Sequence, residues 1–391
     1  MTEEIITGSW GSRLKDAFAG ILIGLALIVA AIVLIFWNEK HSLHTALSLE
    51  QAQKVLISIP NSPVNEQNNL KVVYLSGMAT TQDKLVDSLL GVTVTAINLD
   101  RKVEMYQWQE KVDTRTESQM GGSEKQIKTY TYRQIWSDKL IDSSNFKTME
   151  GHQNPAAMPI PPKKQYAKTV SLGDFTLPET LITQIDVNQA IDLATVNKEA
   201  LKSQFNKPVA LISNEELYVG QDAKNPQLGD MRITMTAAYP QNVSIIAQQT
   251  GHTLQAFVAP AGETVLLLSP GQQSPQQMIE DAQSQNSMLV WILRLVSFLM
   301  LFGGFSLILK PIVVLADVLP FLGSIASFGT GFIAFICGLS IWIIMTAIAW
   351  FTTRPMWSVG LLVILIAGVY WLVKRRSKRA TPVGTTIPPR E

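Results

Sequence analysis

LVWILRLVSFLMLFGGFSLIL, residues 289–309, begins a last quarter of the chain that is almost wholly apolar. SIASFGTGFIAFICGLSIWIIMTAIA, residues 324–349, and WSVGLLVILIAGVYWLV, residues 357–373, follow it. A helix needs about 20 consecutive apolar residues to cross the hydrocarbon core of a bilayer. Each of the three therefore reads as a transmembrane span. A fourth, AFAGILIGLALIVAAIVLIFW, occupies residues 17–37. Between 38 and 288 the chain is polar enough to face water, tethered to the membrane at both ends.

Composition agrees with this division. The 391 residues are 47% hydrophobic and only 16% charged, too apolar for an ordinary soluble protein and too polar for an all-membrane one. A net charge of +1 gives no global field that would draw in nucleic acid. The single cysteine, Cys337, lies inside a predicted span, which excludes a disulfide framework.

Taken in order, residues 1–16 are a short polar head carrying Arg13 and Lys15. The run after them is too long for the apolar core of a signal peptide, and no small-residue cleavage site follows Trp37. Leu43, Ala46, Leu47 and Ala52 continue the first helix as a stalk. Residues 38–288 then read as an α+β domain. Val72–Leu75, Val92–Ile97, Lys102–Val112 and Ile127–Trp136 are rich in β-branched and aromatic residues, with Gly121-Gly122 as a hairpin turn. Residues 179–205 fit one or two helices. The β pattern returns at Met231–Tyr239, Val243–Gln249, Thr253–Val258 and Thr264–Leu268. Such spacing predicts an antiparallel sheet or partial barrel with inserted helices. Ser274-Pro275-Gln276-Gln277 has the form of a capping box and predicts a helix that runs unbroken into the span at 289.

Basic residues near the span ends set the expected orientation. Lys374, Arg375, Arg376, Lys378 and Arg379 follow the last span and place residues 374–391 in the cytoplasm. Four spans then put the N-terminus there too, with Arg13, Lys15 and the segment 310–323. Residues 38–288 and the loop 350–356 fall on the far, extracytoplasmic side.

Several ordered motifs resemble one family. Phe36-Trp37-Asn38-Glu39 with Thr45-Ala46-Leu47-Ser48-Leu49, the strand RKVEMYQW at Arg101–Trp108, and Asn145-Phe146, Gly151-His152, Asn154-Pro155 and Ala157-Met158 carry the likeness. So do Gly229-Asp230-Met231-Arg232, Asn286-Ser287-Met288 and Arg354-Pro355. Together they resemble the LUMA family of nuclear-envelope and endoplasmic-reticulum membrane proteins, which has prokaryotic relatives. The resemblance implies four spans with a large lumenal domain and a role in membrane organisation. Animal members oligomerise and bind emerin and lamins. This chain departs from them in its very short N-terminus, and its glutamine-rich, cysteine-poor composition suits a bacterium, so that partner list does not transfer. The expected location is a bacterial inner membrane for a prokaryotic chain, or the endoplasmic reticulum and nuclear envelope for a eukaryotic one.

Candidate sites are few. His152 and Asn154 lie in a loop before Pro155, either a binding loop or one whose polar side chains bond their own backbone. Glu104, Tyr106, Trp108 and Glu110 alternate on one strand face, a carboxylate pair between aromatics or a half-buried face with charges at its rim. His41 and His44 have no third ligand near them in sequence, so no metal and no cofactor is expected. Arg294 sits a few residues inside a span, where it is expected to snorkel to the interface beside Trp291; a carboxylate partner from the outer domain is the alternative. Asp317, between Pro311 and Pro320, is expected to point at water from an interfacial or re-entrant segment. Gly20 and Gly24, and Gly323, Ser327 and Gly331, are spaced for close helix packing, as are Ala334 and Gly338. The basic tail at 374–379 suits anionic lipid headgroups.

The expectation is an integral membrane scaffold that self-associates, with the bilayer, further copies of itself and an unidentified membrane protein as partners. HExxH, GxSxG, P-loop and GxGxxG contexts are missing from the sequence, which argues against the common enzyme classes. The alternative is a membrane-anchored enzyme or ligand sensor acting through the outer domain. A channel or transporter ranks last, since Arg294 and Asp317 alone offer few groups to line a path.

Overall fold

The computed structural model describes residues 2–351 and, beyond them, positions 360, 363, 366–368 and 370. Two units can be distinguished. A sheet-rich unit comprises the residues up to Ile6, Thr45–Thr116 and Gln126–Ser284. A membrane unit comprises Thr7–His44, Glu117–Lys125 and the described residues from Gln285 onward. The predicted span 357–373 and the basic residues Lys374, Arg375, Arg376, Lys378 and Arg379 lie outside the described residues.

Ten strands of four or more residues build the two larger sheets of this unit: β1 (Thr2–Gly8), β2 (Val72–Thr80), β3 (Asn98–Ser118), β4 (Glu124–Ser137), β5 (Lys163–Tyr166), β6 (Val209–Ser213), β7 (Glu216–Val219), β8 (Met231–Ala238), β9 (Gln241–Thr250) and β10 (Leu267–Pro270). One sheet has the order β1-β4-β3-β8-β7-β6, with β5 also on β3 and residues 189–190 also on β8. Its inner face follows from the period-two pattern. Met231, Ile233 and Met235 are buried, and they pair with Met105, Val103 and Arg101 of β3. Leu193, Leu201 and Leu217 complete this core. Leu201 comes from a short helix, α2 (Lys198–Phe205).

Arg101 is a charge on that apolar face. Its Nη1 donates to both Asp87 oxygens at 2.7 and 2.6 Å, and its Nε and Nη2 donate to the Pro161 carbonyl at 3.1 and 3.0 Å. Both side chains are almost wholly buried, so removal of either partner alone costs about 3–5 kcal/mol.

The second sheet closes on itself. β2 pairs β9, β9 pairs 253–255, that strand pairs 175–176, and 175–176 reaches β2 through 171–172. Every pairing around this ring is antiparallel except Thr176 with Thr253. Val73, Leu75, Leu172, Phe175 and Ile245 fill it. A partial barrel with inserted helices is thus what forms.

Two helical stalks enter this unit. α1 (Trp10–Val55) and α3 (Pro275–Ala316) are each continuous over more than forty residues. Leu49 and Ala52 of α1 pack with Met278 and Ile279 of α3 against Val72 and Ile246. The predicted cap of α3 is present, the Gln277 amide donating to Ser274 Oγ at 3.2 Å.

Among the described residues, three helices are long and apolar enough to cross a bilayer: α1, α3 and α4 (Pro320–Phe351). They contain the predicted spans 17–37, 289–309 and 324–349. Ala31, Ile35, Leu301 and Ala349 form their shared core. Leu22, Val33, Leu299 and Phe328 are among the many exposed apolar side chains, as a lipid-facing surface requires.

Three segments differ from the sequence reading. Residues 1–16 are no loose head: 2–8 form the end strand of a sheet, and α1 begins at Trp10. Residues 310–323 form no separate interfacial element. α3 runs through Pro311 to Ala316, and α4 opens with Pro320 in its first turn, where a missing N–H costs nothing. Residues 117–125, read as part of the 38–288 domain, belong to the membrane unit.

Candidate functional site

An ion pair inside the membrane unit is the candidate. Arg294 does not snorkel; it is buried, and so is Glu39. Arg294 Nε donates to Glu39 Oε1 at 2.7 Å and Nη2 to Oε2 at 2.9 Å, a bidentate fork. Charge beside an apolar span is costly unless paired, and this pair satisfies both partners. Trp350 Nε1 also donates to Glu39 Oε2. The guanidinium carbon lies 4.7 Å from the Trp291 ring centre and 5.0 Å from that of Trp350, within cation–π range. Trp342 Nε1 donates to the Arg294 carbonyl at 3.1 Å, and Asn38 Nδ2 donates to the Val290 carbonyl at 3.2 Å. The cluster thus ties α1, α3 and α4 in one register. The carboxylate partner is Glu39 of α1, within the membrane unit, and not one from the sheet-rich unit. Glu39 stands in the FWNE stretch but escaped notice because 255 residues separate it from Arg294.

Asp317 is likewise buried rather than facing water. Its Oδ2 accepts from Arg13 Nη2 at 2.6 Å and from Ser118 Oγ at 3.1 Å. Arg13 Nε also pairs with Glu124 at 2.9 Å, and its Nη1 donates to the Gly122 carbonyl at 2.6 Å.

The small-residue positions have divided roles. A Cβ on Gly24 would lie 2.6 Å from the Gly304 carbonyl oxygen, whereas one on Gly20 would make only an ordinary contact, 3.8 Å from Leu307. Gly24 is therefore a true close-packing site. Ala334 is fully buried, and a Cβ on Gly338 would crowd the Phe302 backbone at 3.2 Å. At Gly323 the missing Cβ leaves room for the Asp317 carboxylate. Ser327 is exposed, and a Cβ on Gly331 meets nothing within 4 Å among the described residues.

In the sheet-rich unit the loop residues are occupied by structural bonds. Asn154 acts as a surrogate strand: its Oδ1 accepts the Trp108 amide at 2.7 Å, and its Nδ2 donates to the Trp108 and Ile141 carbonyls at 2.9 and 3.1 Å. His152 stacks on Tyr132 at 3.9 Å and meets Trp108 edge-on at 4.8 Å, with Nδ1 3.1 Å from the Thr148 carbonyl oxygen. Glu110 accepts from the Tyr132 hydroxyl at 2.7 Å and the Lys147 amide at 2.6 Å. Tyr132 thus links His152 with Glu110. Glu104 lies elsewhere, beside its register partner Arg232, in a polar cavity of about 380 Å³ shared with Asp100, Lys102, Asp138 and Glu216. Arg232 stacks on Trp136 at 4.1 Å. His41 stacks on Trp37 at 4.9 Å.

Two further carboxylates were not foreseen. Asp230, buried, accepts from the Tyr218 hydroxyl at 2.6 Å, the Gln227 amide at 2.8 Å and Lys207 Nζ at 3.2 Å. Burial and the adjacent carboxylate push the Tyr218 phenol well above its usual range. Glu4 on β1 accepts from Tyr130 at 2.7 Å and Lys147 at 2.6 Å. Those bonds hold its carboxyl below the ordinary 4.5, and the Tyr130 phenol is pushed up to about 12.

The sequence model of a family described as Transmembrane protein 43 matches residues 105–355. Transmembrane protein 43 of Homo sapiens is 30% identical over 371 residues, covering 91% of this chain and 89% of that protein. The Mus musculus protein of the same name is 30% identical over 359 residues, covering 88% and 87%. Transmembrane protein 43 homolog of Drosophila melanogaster is 27% identical over 382 residues, covering 94% and 97%. No solved structure matches the chain.

Proposed function

The chain belongs to the transmembrane protein 43 family, and from that premise we propose that it is a membrane organising protein that self-associates through its helices and offers its sheet-rich domain to partner proteins. The membrane is the bacterial inner membrane for a prokaryotic source, or the endoplasmic reticulum and nuclear envelope for a eukaryotic one. The observation that carries the reading is the outer face of α4. Ile325, Phe328, Phe332 and Ile336 are exposed there, Phe328 at 81%, beside Ser327 and the open Gly331. Small residues let a second helix approach closely, and large apolar neighbours then pack around the contact. Gly24 and Gly338, by contrast, already pack closely within the chain.

Ser327→Cys in a Cys337→Ser background tests it. Oxidation in native membranes is expected to give a disulfide-linked dimer, and native mass measurement in lipid nanodiscs more than one copy. A monomer by both measurements at all concentrations overturns the reading.

The polar cavity around Glu104 and Arg232 favours a second reading, a ligand sensor. A thermal shift of the full chain with small sugars or divalent cations, abolished in Glu104→Ala, would raise it above the first.

A further inference from the structure

A groove of about 290 Å³ lies between α3 and α4 in the membrane unit. Its α3 wall is Trp291, Arg294, Leu295 and Phe298, spaced i, i+3, i+4 and i+7 along one stripe of the helix. Phe335, Leu339 and Trp342 form the α4 wall. The groove follows from where the helices meet. A Cβ on Gly338 would lie 3.2 Å from the Phe302 backbone, so the two backbones approach closely there. Toward Trp291 and Trp342, large rings hold the helices apart. Phe298 meets Phe335 at 5.6 Å and Trp342 at 6.5 Å, both edge-on. Trp291, Leu295 and Phe335 are exposed, so the mouth lies on the lipid-facing surface.

Arg294 is the charged residue of this lining, and its side chain is only 9% exposed. Nε and Nη2 are engaged by Glu39. Nη1 finds no acceptor among the described residues. A buried donor without an acceptor is costly, and more so beside hydrocarbon.

We infer that the groove binds one glycerophospholipid, with an acyl chain along Phe298 and Leu339 and an ester or phosphate oxygen accepting from Arg294 Nη1. Three features favour this occupant. The groove runs about 10 Å along α3 from Trp291 to Phe298, within the roughly 15 Å of hydrocarbon in one leaflet. Its polar end coincides with a cluster of tryptophans, Trp291 and Trp350 lying 4.7 and 5.0 Å from the guanidinium, and tryptophans gather at the level of lipid headgroups. An apolar helix has its own carbonyls already paired and offers Nη1 little, whereas a lipid ester carries free carbonyl oxygens. Because Glu39 neutralises Arg294, the site has no net charge to select an anionic headgroup.

The test uses the full chain, reconstituted with equal amounts of phosphatidylcholine and phosphatidylglycerol and then exchanged extensively into detergent. Mass spectrometry counts the phospholipid that each chain retains. The wild type is expected to keep a lipid of either headgroup, and so is Leu299→Trp, because Leu299 is 52% exposed and outside the groove. Leu339→Trp fills the groove and is expected to retain roughly tenfold less. Equal retention in all three proteins, or none in the wild type, overturns the inference. Retention of phosphatidylglycerol alone overturns the neutral site. A benzophenone side chain in place of Leu295, at the mouth, gives a reading that does not depend on Leu339→Trp folding. Irradiation of the detergent-exchanged protein is expected to join it to a phospholipid. An adduct with detergent alone, with residues 357–373 or with a second copy also overturns the inference.

Discussion

At the scale of single residues, the energetics turn on charges that were taken out of water only with a partner. Glu39→Ala leaves Arg294 buried alone and is expected to cost about 3–5 kcal/mol, read as a lowered unfolding midpoint in detergent. Replacing both by methionine is expected to recover most of that loss, because apolar isosteres of a buried pair are often neutral. If the double variant is as unstable as the single one, the pair does more than neutralise itself. Glu4 and Tyr130 give a pH signature on β1. The folded pKa of Glu4 lies below the ordinary 4.5, so its contribution is complete above that value and is lost as pH falls through the lowered one. Tyr130 runs the other way. Its contribution is present below 10.0 and is lost as pH rises through about 12. Glu4→Gln is expected to bring the Tyr130 titration, followed by phenolate absorbance, back toward 10.0. Arg294 and Asp317 stood out in the sequence as charges in or beside apolar segments. Their partners did not, because Glu39 and Arg13 flank the apolar stretch 17–37 of α1, where charged residues are ordinary.

Among elements, the long ones were legible and the short ones were not. β3 and β4 announce themselves by aromatic and β-branched alternation with a Gly-Gly turn, and α1, α3 and α4 by sheer apolar length. The two-residue strands at 171–172 and 175–176 are too brief to hold any period, and the parallel pairing of Thr176 with Thr253 depends on tertiary closure. Spacing by four marked Gly24 and Gly331 alike, yet only one of them meets a neighbour. Gly24→Ala is expected to force α1 from α3 and cost about 1–3 kcal/mol. Gly331→Ala, with open space around it, is expected to be neutral for the isolated chain or to stabilise by up to about 1 kcal/mol through helix propensity. Thermal unfolding of the two variants side by side checks the contrast; equal losses would mean that both faces are packed.

For the molecule as a whole, hydropathy separated the helices from the sheets but could not assign 117–125. Those residues are polar, and their place with the membrane unit comes from bonds to Arg13, Val318 and Asp317 rather than from any period of their own. Likewise, nothing in TEEIITG at 2–8 distinguishes a polar head from a strand until β4 is there to pair with it. Because β1 ends its sheet, deleting residues 2–8 is expected to bare the part of the β4 edge that β1 covers and promote strand-to-strand association. Light scattering of the solubilised protein would register this, and unchanged scattering would count against it. The Glu39–Arg294 fork also has a consequence in time. At about 5–20 residues per second, the ribosome delivers Arg294 roughly 13–50 s after Glu39. Through that interval the first helix carries a lone carboxylate that only hydration can satisfy, so it cannot settle to its final depth until synthesis nears its close. A nascent chain halted before Arg294 should remain easier to pull out of the membrane than one halted just beyond it.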